Sequence, residues 1–224
     1  MSLKKLIEFG RKSKGASTST RGALIDLNGK IAYITNERRS FLYKMILEEE
    51  VGSGVFYAGE APIMSEKVRD RGEKVLFEWK EGRVIRRVFV PSKKPIKETS
   101  EAVFKKWYVN PEVLIPVTAL DLLDPDILTT RLRVSGDRLH IKQTRADGTV
   151  SLENEIVLSR FLAEVNYPDS GEVTIFTSDL IFIREFTRKP IYIHIEEGKP
   201  ISLRTTLNFG AILEGLISYL VYER

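Results

Sequence analysis

Residues 74–85, KVLFEWKEGRVI, decide the fold because they recur in altered form at residues 190–201, PIYIHIEEGKPI. The two stretches align without a gap at a constant offset of 116 positions. The alternating apolar residues of the first stretch, Val75, Phe77 and Trp79, overlie isoleucines of the second, and each stretch then reaches Glu-Gly and a basic residue. Apolar alternation around such a turn predicts a β hairpin. A hairpin repeated at a fixed distance predicts two similar halves.

The segments that precede the two hairpins, 61–73 and 177–189, also align without a gap. In the first of them, Ile63, Met64 and Val68 recur at helical spacing with basic residues between them. This pattern predicts a short amphipathic basic helix, and we expect its counterpart at 178–189 to be helical as well. Two further short helices are expected, at 3–14 and 117–128.

The rest of the chain has the alternation and the β-branched and aromatic enrichment of antiparallel strands. The expected strands are 23–27, 31–35, 40–47, 74–80 and 83–91 in the first half, and 129–134, 138–144, 147–157, 172–177, 190–195, 201–207 and 216–223 in the second.

A polar stretch, 92–112, shows no sustained strand alternation and is flanked by prolines. Such composition is typical of a linker between domains. We therefore expect a first domain over 1–92, a connector over 93–112 and a second domain over 113–224.

Composition excludes several classes of protein. The 224 residues contain no cysteine, so a disulfide framework or a thiolate metal site is not possible, and we expect no cofactor. No apolar run is long enough to span a membrane, and MSLKKLIEFGRK at positions 1–12 lacks the features of a signal peptide, so we expect a cytoplasmic protein without a membrane partner. Abundant Ile, Val, Lys, Arg and Glu would suit a thermophile.

Positive charge is concentrated in the first half of the chain. Residues 1–97 hold 21 Lys and Arg against 12 Asp and Glu, a net charge of +9, whereas residues 98–224 hold 14 against 19, a net charge of −5. This asymmetry suggests a polyanionic partner, although a solvated basic face gives the same pattern.

The order of elements resembles the sliding-clamp family, which includes proliferating cell nuclear antigen and its archaeal relatives. Residues 29–47 resemble the segment that leads into the first long strand of a clamp, and residues 179–223 resemble its carboxyl-terminal part. Gly198-Lys199-Pro200-Ile201-Ser202-Leu203 and Ser218-Tyr219-Leu220 are similar to family patterns around the last strands. The resemblance implies an α+β fold of two similar β-rich halves with short helices on one face. The ending Leu220-Val221-Tyr222-Glu223-Arg224 departs from the usual Leu-Ala-Pro of clamps, and the first domain is shorter than usual.

Membership of this family would imply a ring that encircles double-stranded DNA and tethers a DNA polymerase or other replication and repair proteins, in the nucleoid of the cell. Contacts with phosphates would come from basic residues on helices, because many weak contacts to the backbone allow sliding. The candidates are Lys4, Lys5, Arg11 and Lys12 on the first helix, Lys67, Arg69 and Arg71 on the second, and Arg184, Arg188 and Lys189 on the last.

The resemblance also implies a hydrophobic partner-docking pocket beneath the connector and beside the carboxyl terminus. The matching positions are Thr35, Arg39, Phe104, Trp107, Tyr108, Tyr219, Val221 and Tyr222. Aromatic residues in a polar linker can anchor a partner, but Phe104 and Trp107 could equally hold the connector against its own domain. Pairing of edge strands between subunits would close the ring, with a homotrimer as the default. One sequence does not distinguish this from a heteromeric ring or a monomeric relative.

Other functions have less support in the sequence. His140 and His194 lie on the polar side of strands without a nucleophile and acid nearby, and no phosphate-binding or dinucleotide-binding motif occurs, so we expect no catalysis. The acids Asp121, Asp124 and Asp126 surround Pro125 and fit turn or capping residues better than a Mg²⁺ site. The stronger alternative is a β-rich module that binds nucleic acid or protein on a basic face without forming a ring.

Overall fold

The computed structural model describes residues 1–13, 20–93, 100–158 and 171–220. The chain divides into two compact units. The first unit contains Met1–Lys106 and Phe209–Ala211, and the second contains Trp107–Asn208 and Ile212–Arg224. Over these described ranges, both units are rich in antiparallel strands and carry only short helices, as the sequence predicts.

The first unit begins with helix α1, which confirms the amino-terminal helix expected from the sequence. The elements of this unit are α1 (Leu3–Lys12), β1 (Leu24–Asn28), β2 (Ile31–Thr35), β3 (Phe41–Ile46), β4 (Ser53–Tyr57), β5 (Lys67–Asp70), β6 (Lys74–Glu81), β7 (Val84–Pro91) and α2 (Ser100–Trp107). The Ser2 side chain accepts a hydrogen bond from the Lys5 N–H at 3.4 Å and caps α1.

Strands β1 to β4 form one layer of the unit in the order β4-β1-β2-β3, and all neighbours are antiparallel. Helix α1 packs on the face that carries Ile25. Gly10 permits this close approach, because a Cβ at that position would lie only 2.8 Å from the Ala58 Cβ. Behind the helix, the rings of Phe41 and Tyr43 stack with their centroids 4.3 Å apart. Strand β4 was absent from the sequence-based expectations.

Helix α2 packs on the face of the same strands that carries Asp26 and Tyr33. Asp26, Tyr33 and Lys44 are register neighbours across β1, β2 and β3. Phe104 of α2 is buried, with its ring centroid 5.9 Å from that of Tyr33 and the Lys44 Nζ 5.5 Å above it. At the start of the helix, Ser100 donates a hydrogen bond to Asp26. Part of the expected connector is therefore a helix anchored on the first unit.

The expected helix at 61–73 is wrong. Residues 67–70 form strand β5, which pairs with β6 so that Val68 opposes Phe77. Hydrogen bonds of Ser65 to the Pro62 carbonyl and of the Val68 N–H to the Val51 carbonyl fix the chain as a turn followed by a strand. The apparent helical spacing spans this turn, and only Val68 of the strand is buried, so the short segment lacks clear alternation.

The second unit contains the remaining elements. They are β8 (Val113–Ile115), α3 (Val117–Leu120), β9 (Thr129–Ser135), β10 (Arg138–Thr144), β11 (Val150–Val157), β12 (Val173–Phe176), α4 (Thr177–Phe186), β13 (Ile191–His194), β14 (Ile201–Thr206) and β15 (Ile212–Ile217). Strands run in the order β11-β10-β9-β12 in one sheet and β15-β14-β13-β8 in the other layer. The last strand begins and ends earlier than the expected 216–223.

The repeat is therefore real for the hairpins but not for the segments before them. Residues 74–91 and 191–206 both form antiparallel hairpins. Helix α4 confirms the expectation for 178–189 up to residue 186, whereas its aligned segment in the first half is a turn and a strand. The two halves therefore share the β hairpin but differ in the segment that precedes it.

Candidate subunit and nucleic-acid interfaces

Strand β7 is the edge of the three-stranded sheet β5-β6-β7, and within the described ranges no strand pairs with its outer side. Six consecutive residues, 84–89, are exposed. Ile85 and Phe89 each expose 57% of their surface, and they point to the same side because strand side chains alternate. A long exposed apolar edge strand invites pairing with another strand.

The same sheet is strongly basic. Residues 67–93 hold nine Lys and Arg against four Asp and Glu. Two arginines of β7 are held by the carboxylates of β6: Arg86 Nε lies 2.7 Å from Glu81 Oε2, and Arg87 Nε lies 2.8 Å from Glu78 Oε1. The hydrogen bond from Arg87, with the positive charge of Arg69, lowers the pKa of Glu78 below its usual value. These contacts hold the arginines beside the open edge.

Among the described strands of the second unit, β11 is the corresponding edge, at the end of the sheet β11-β10-β9-β12. Its exposed residues include Val150 and two carboxylates, Glu153 and Glu155. Glu153 lies 3.4 Å from Lys142, and Glu155 pairs with Arg138 on the neighbouring strand. The chain thus carries one edge that is apolar and basic and another that is acidic, each in an eight-residue strand.

The sequence contains a local signal for the β7 edge. The stretch VIRRVFVP places apolar residues on both sides of the strand, and Pro91, which cannot donate a ladder hydrogen bond, ends it. No such signal marks β11, because its alternation resembles that of any strand with one solvated face.

Helix α1 carries the first group of the predicted DNA contacts, and three of its four residues are exposed. Lys4, Lys5 and Lys12 are exposed, and the Lys5 Nζ lies 5.6 Å above the ring of Phe209. Arg11 is different. Its Nε donates to the Ala58 carbonyl at 3.1 Å and its Nη2 to the Ala61 carbonyl at 2.7 Å, so the guanidinium fastens α1 to the chain beyond β4.

Because of these two bonds, we expect replacement of Arg11 to affect stability. Arg11→Ala should lower the free energy of unfolding by about 1.5–3 kcal/mol, the usual range for hydrogen bonds to a charged group. Arg11→Lys should restore little of this loss, because one ammonium does not reproduce the fork of the guanidinium. Urea unfolding followed by circular dichroism would measure both changes, and an unchanged midpoint in Arg11→Ala would refute the structural role.

The second predicted group lies on a strand and not on a helix. Lys67, Arg69 and Arg71 are exposed in and just after β5. The Arg69 Nε lies 3.1 Å from Glu78 Oε2, so this cation is partly neutralised. These three cations therefore do not form the basic face of a helix.

The third group of predicted DNA contacts lies partly on α4 and partly beyond its end. Arg184 is on the helix and is half-buried, with its Nη1 3.3 Å from the Leu120 carbonyl and 3.5 Å from Asp121. Arg188 and Lys189 are exposed but follow the helix, in the turn before β13. The expectation that all three lie on the last helix is wrong for these two.

The predicted partner-docking residues are distributed over both units. In the first unit, Thr35 is buried and donates to the Phe41 carbonyl at 2.6 Å, whereas Arg39 is exposed with a positive φ of 53°. Phe104 is buried against Tyr33, so its ring holds this part of the chain on the first unit.

In the second unit, Trp107, Tyr108 and Tyr219 are half-buried. Burial, and to a smaller extent the charge of Glu214, raises the pKa of Tyr108 to about 12, so its hydroxyl stays protonated at neutral pH. Val221 and Tyr222 lie outside the described residues.

The acids around Pro125 act as turn residues. One oxygen of Asp124 accepts the Asp126 N–H at 3.0 Å, and the other accepts the Ser151 hydroxyl at 3.3 Å. Asp121 is beside Arg184. Over residues 1–13, 20–93, 100–158 and 171–220, no group of three or more His, Asp or Glu side chains is arranged to hold a metal ion.

Both histidines sit beside exposed carboxylates on the sheets. The His140 Nδ1 lies 3.6 Å from Glu155 and the His194 Nε2 3.7 Å from Glu196. These are surface ion pairs of the ordinary kind, which form only when the imidazole is protonated.

Three solved structures superpose on almost the whole chain. The β subunit of DNA polymerase from Streptococcus pyogenes matches 98% of this chain with a TM-score of 0.64. A chain of the PCNA2–PCNA3 complex from Sulfolobus tokodaii matches 97% of this chain with a TM-score of 0.56. The chain has the sliding-clamp fold. The β chain of DNA polymerase III from Streptococcus pneumoniae agrees, matching 98% with a TM-score of 0.63.

The sliding-clamp fold is retained here at very low sequence similarity, since identity is 13% to each of the three structures. No protein-family model and no curated protein sequence matches the chain. The chain spans 64% and 63% of the lengths of the two streptococcal subunits, and 95% of the length of the Sulfolobus chain. The predicted clamp architecture is thus confirmed at the level of the fold.

The helices of this clamp fold are short. None of those in the described residues is long and apolar enough to cross a membrane.

Proposed function

We propose that the chain is a non-catalytic subunit of a ring that encircles double-stranded DNA and tethers a polymerase or another DNA-processing protein. The observation that carries this proposal is the sliding-clamp fold with two open edge strands of opposite character, β7 and β11. Pairing the β7 edge of one copy with the β11 edge of the next would be a head-to-tail contact. Contacts of this kind close into a ring when the rotation between subunits permits.

The two edges are chemically suited to each other. Strand β7 contributes Arg86, Arg87 and the exposed apolar side chains of Ile85 and Phe89, and β11 contributes Glu153 and Glu155. Pairing would satisfy two rows of backbone groups that otherwise face solvent and would cover the apolar side chains. Both edges occur on one chain, which favours a ring of identical subunits, with a homotrimer as the default. In a heteromeric ring each edge would meet another clamp subunit.

The DNA contacts are proposed to centre on α1, with Lys4, Lys5 and Lys12 as the main cations. Their exposure supports this role, whereas the hydrogen bonds of Arg11 and Arg184 to backbone carbonyls limit what those two arginines can reach. The remaining candidates would add to the positive potential around the duplex. They are Lys67, Arg69, Arg71, Arg188 and Lys189.

The polymerase or repair protein is proposed to dock near the connector, 93–112, and the last residues of the chain. Arg39, Trp107, Tyr108 and Tyr219 offer partly exposed surface for this purpose. Binding there would fix the partner to the ring without a sequence-specific contact to DNA, and it would place the protein on the chromosome.

Retention on circular DNA tests the proposal. The protein, loaded at low salt onto a nicked plasmid bound to beads, should remain after a wash at high salt, because a closed ring is held by topology. It should be released when a restriction enzyme linearises the plasmid. A protein that binds DNA on one face should wash off both forms equally, and that result would remove the ring proposal.

We also expect the lysines of α1 to set the salt dependence of DNA binding. Replacing Lys4, Lys5 and Lys12 with glutamine should reduce the slope of log K against log salt concentration by up to about 0.9 per lysine. The matched control replaces Arg131, Arg133 and Lys142, which share the polar face of β9 and β10, and should leave the slope unchanged. Equal slopes for the two triple variants in fluorescence anisotropy titrations would show that α1 does not face DNA.

A further inference from the structure

The sheet β5-β6-β7 has one face that is basic, and its strand register defines which side chains share that face. Side chains at opposed positions of paired strands lie on one face of a sheet, and every second residue along a strand joins them. Arg69 of β5 opposes Leu76 of β6, which in turn opposes Phe89 of β7. The face that contains these three residues, which we call the basic sheet face, also carries Lys67, Lys74, Glu78, Lys80, Ile85 and Arg87.

The paired positions of the basic sheet face hold five cations and one carboxylate. The cations, which are all exposed, are Lys67, Arg69, Lys74, Lys80 and Arg87. The carboxylate belongs to Glu78, which is only 8% exposed and has Arg69 Nε at 3.1 Å and Arg87 Nε at 2.8 Å. A ligand that approaches this face therefore meets positive charge, which attracts a polyanion.

Phe89 places an aromatic ring among these cations. The residue is 57% exposed, and Leu76, which it opposes, is buried beside it in the sheet. An exposed ring offers a surface on which a nucleic-acid base can stack. The bases of a duplex are already stacked and paired, whereas an unpaired base can lie flat on the ring. Sheet faces that combine cations with exposed aromatic rings bind single strands in this way.

Pairing of β7 with another strand would leave most of the basic sheet face open. A strand added at the edge lies in the plane of the sheet, whereas the side chains stand roughly perpendicular to that plane. Lys67 and Arg69 belong to β5, which is the strand farthest from the β7 edge. Such pairing would therefore narrow the access to Phe89 from one side without covering the cations of β5 and β6.

We propose that the basic sheet face binds single-stranded nucleic acid, with a base stacked on Phe89 and phosphates held by Lys67, Lys74 and Lys80. These lysines are the main phosphate contacts because Arg69 and Arg87 share their charge with Glu78. Binding is independent of sequence, since every base has a face that can stack. The inference does not depend on ring formation, because every residue of the face belongs to the first unit.

The test uses the full chain and three fluorescent probes, each titrated by anisotropy at moderate salt. They are a fifteen-nucleotide oligothymidylate, an abasic oligomer of the same length and a duplex of the same length. The abasic oligomer keeps the phosphates but lacks the bases that could stack. Oligothymidylate is expected to bind about tenfold more tightly than the abasic oligomer, which is the effect of one stacked base. Equal affinities for these two probes would overturn the proposal.

Phe89→Leu locates the stacked base. Leucine keeps an apolar side chain on β7 but removes the ring, so the affinity for oligothymidylate should fall about tenfold, to that of the abasic oligomer. The affinities for the abasic oligomer and for the duplex should not change. The control Tyr192→Leu removes a ring that is 37% exposed in the second unit and should have no effect. Oligothymidylate binding that is unchanged in a folded Phe89→Leu variant, of the same mass as the parent by light scattering, would refute stacking at this position.

Replacing Lys67, Lys74 and Lys80 with glutamine locates the phosphates. For oligothymidylate, the slope of log K against log salt concentration should decrease by up to about 0.7 per lysine. The matched control is the variant in which glutamine replaces the three exposed lysines of α1, and it should keep the parent slope. A decrease confined to the α1 variant would place the single strand on α1 and overturn the proposal. That outcome would leave the ring proposal standing, because retention on a circular plasmid does not depend on binding of single strands.

Discussion

Replacing Ile85 and Phe89 together with aspartate is expected to abolish assembly of the ring and to leave a folded monomer. Both side chains are more than half exposed on the open edge strand β7, so the change should cost the isolated subunit little. In an assembled ring, the same positions would place two unpaired charges in an apolar strand contact, which is strongly unfavourable. Light scattering after size-exclusion chromatography would measure the change in mass.

The matched control is Met64→Asp. Met64 is 60% exposed in the same unit but lies in the turn before β5 and not on a sheet edge. This variant should assemble as the parent chain does. An unchanged mass in the Ile85 and Phe89 double variant, with the parent assembled under the same conditions, would show that β7 does not form the contact.

Gln143→Leu should cause a large loss of stability in the second unit. The buried Gln143 amide accepts the Asp124 N–H at 2.9 Å and donates to the Asp124 carbonyl at 3.2 Å and to the Thr130 hydroxyl at 3.2 Å. Leucine has nearly the same size but leaves the two backbone groups of Asp124 without these partners. We expect the free energy of unfolding to fall by about 2–4 kcal/mol, because each buried polar group left unsatisfied costs roughly 1–3 kcal/mol.

Lys142→Ala is the control for this prediction, since Lys142 is the neighbouring residue of β10 and points to the polar face, where it pairs with Glu153. A surface ion pair of this kind contributes at most about 1 kcal/mol. Scanning calorimetry would compare the two variants. A Gln143→Leu variant as stable as Lys142→Ala would mean that Gln143 does not anchor the loop that contains Asp124.

The sequence predicted the hairpins and the general architecture because alternation is a local property that both strands of a hairpin share. Val75 and Phe77 are buried in β6, as are Ile191 and Ile193 in β13, so the repeat correctly marked the core positions. Helix α1 was also predictable, because Leu3, Leu6 and Ile7 form one apolar side and Ser2 provides a cap.

For residues 61–73, the local sequence pattern does not distinguish the predicted basic helix from a turn followed by a strand. Their structure depends on contacts with residues outside the segment: the Val68 N–H donates to the Val51 carbonyl, and Val68 opposes Phe77. Gly52 allows the first contact, because a Cβ at that position would lie 1.7 Å from the Val68 carbonyl oxygen. No local pattern in residues 61–73 encodes these contacts.

The candidate sites were predictable by residue type but not by role. Arg11 and Arg184 are cations on helices, as the sequence indicated, yet both donate hydrogen bonds to backbone carbonyls. Phe104 is an aromatic residue in a polar segment, yet it is buried on Tyr33. The edge of β11 has no local marker, because an edge is a property of sheet order, which depends on how strands distant in sequence pair.

Hydrogen exchange measured by mass spectrometry at two protein concentrations tests the central claim most directly. If β7 of one copy pairs with β11 of the next, amides in 84–91 and in 150–157 should become protected together as the concentration rises, while the paired strands β1 and β10 stay unchanged. Protection that fails to rise in either segment, in a sample that light scattering shows to be assembled, would contradict the proposed contact.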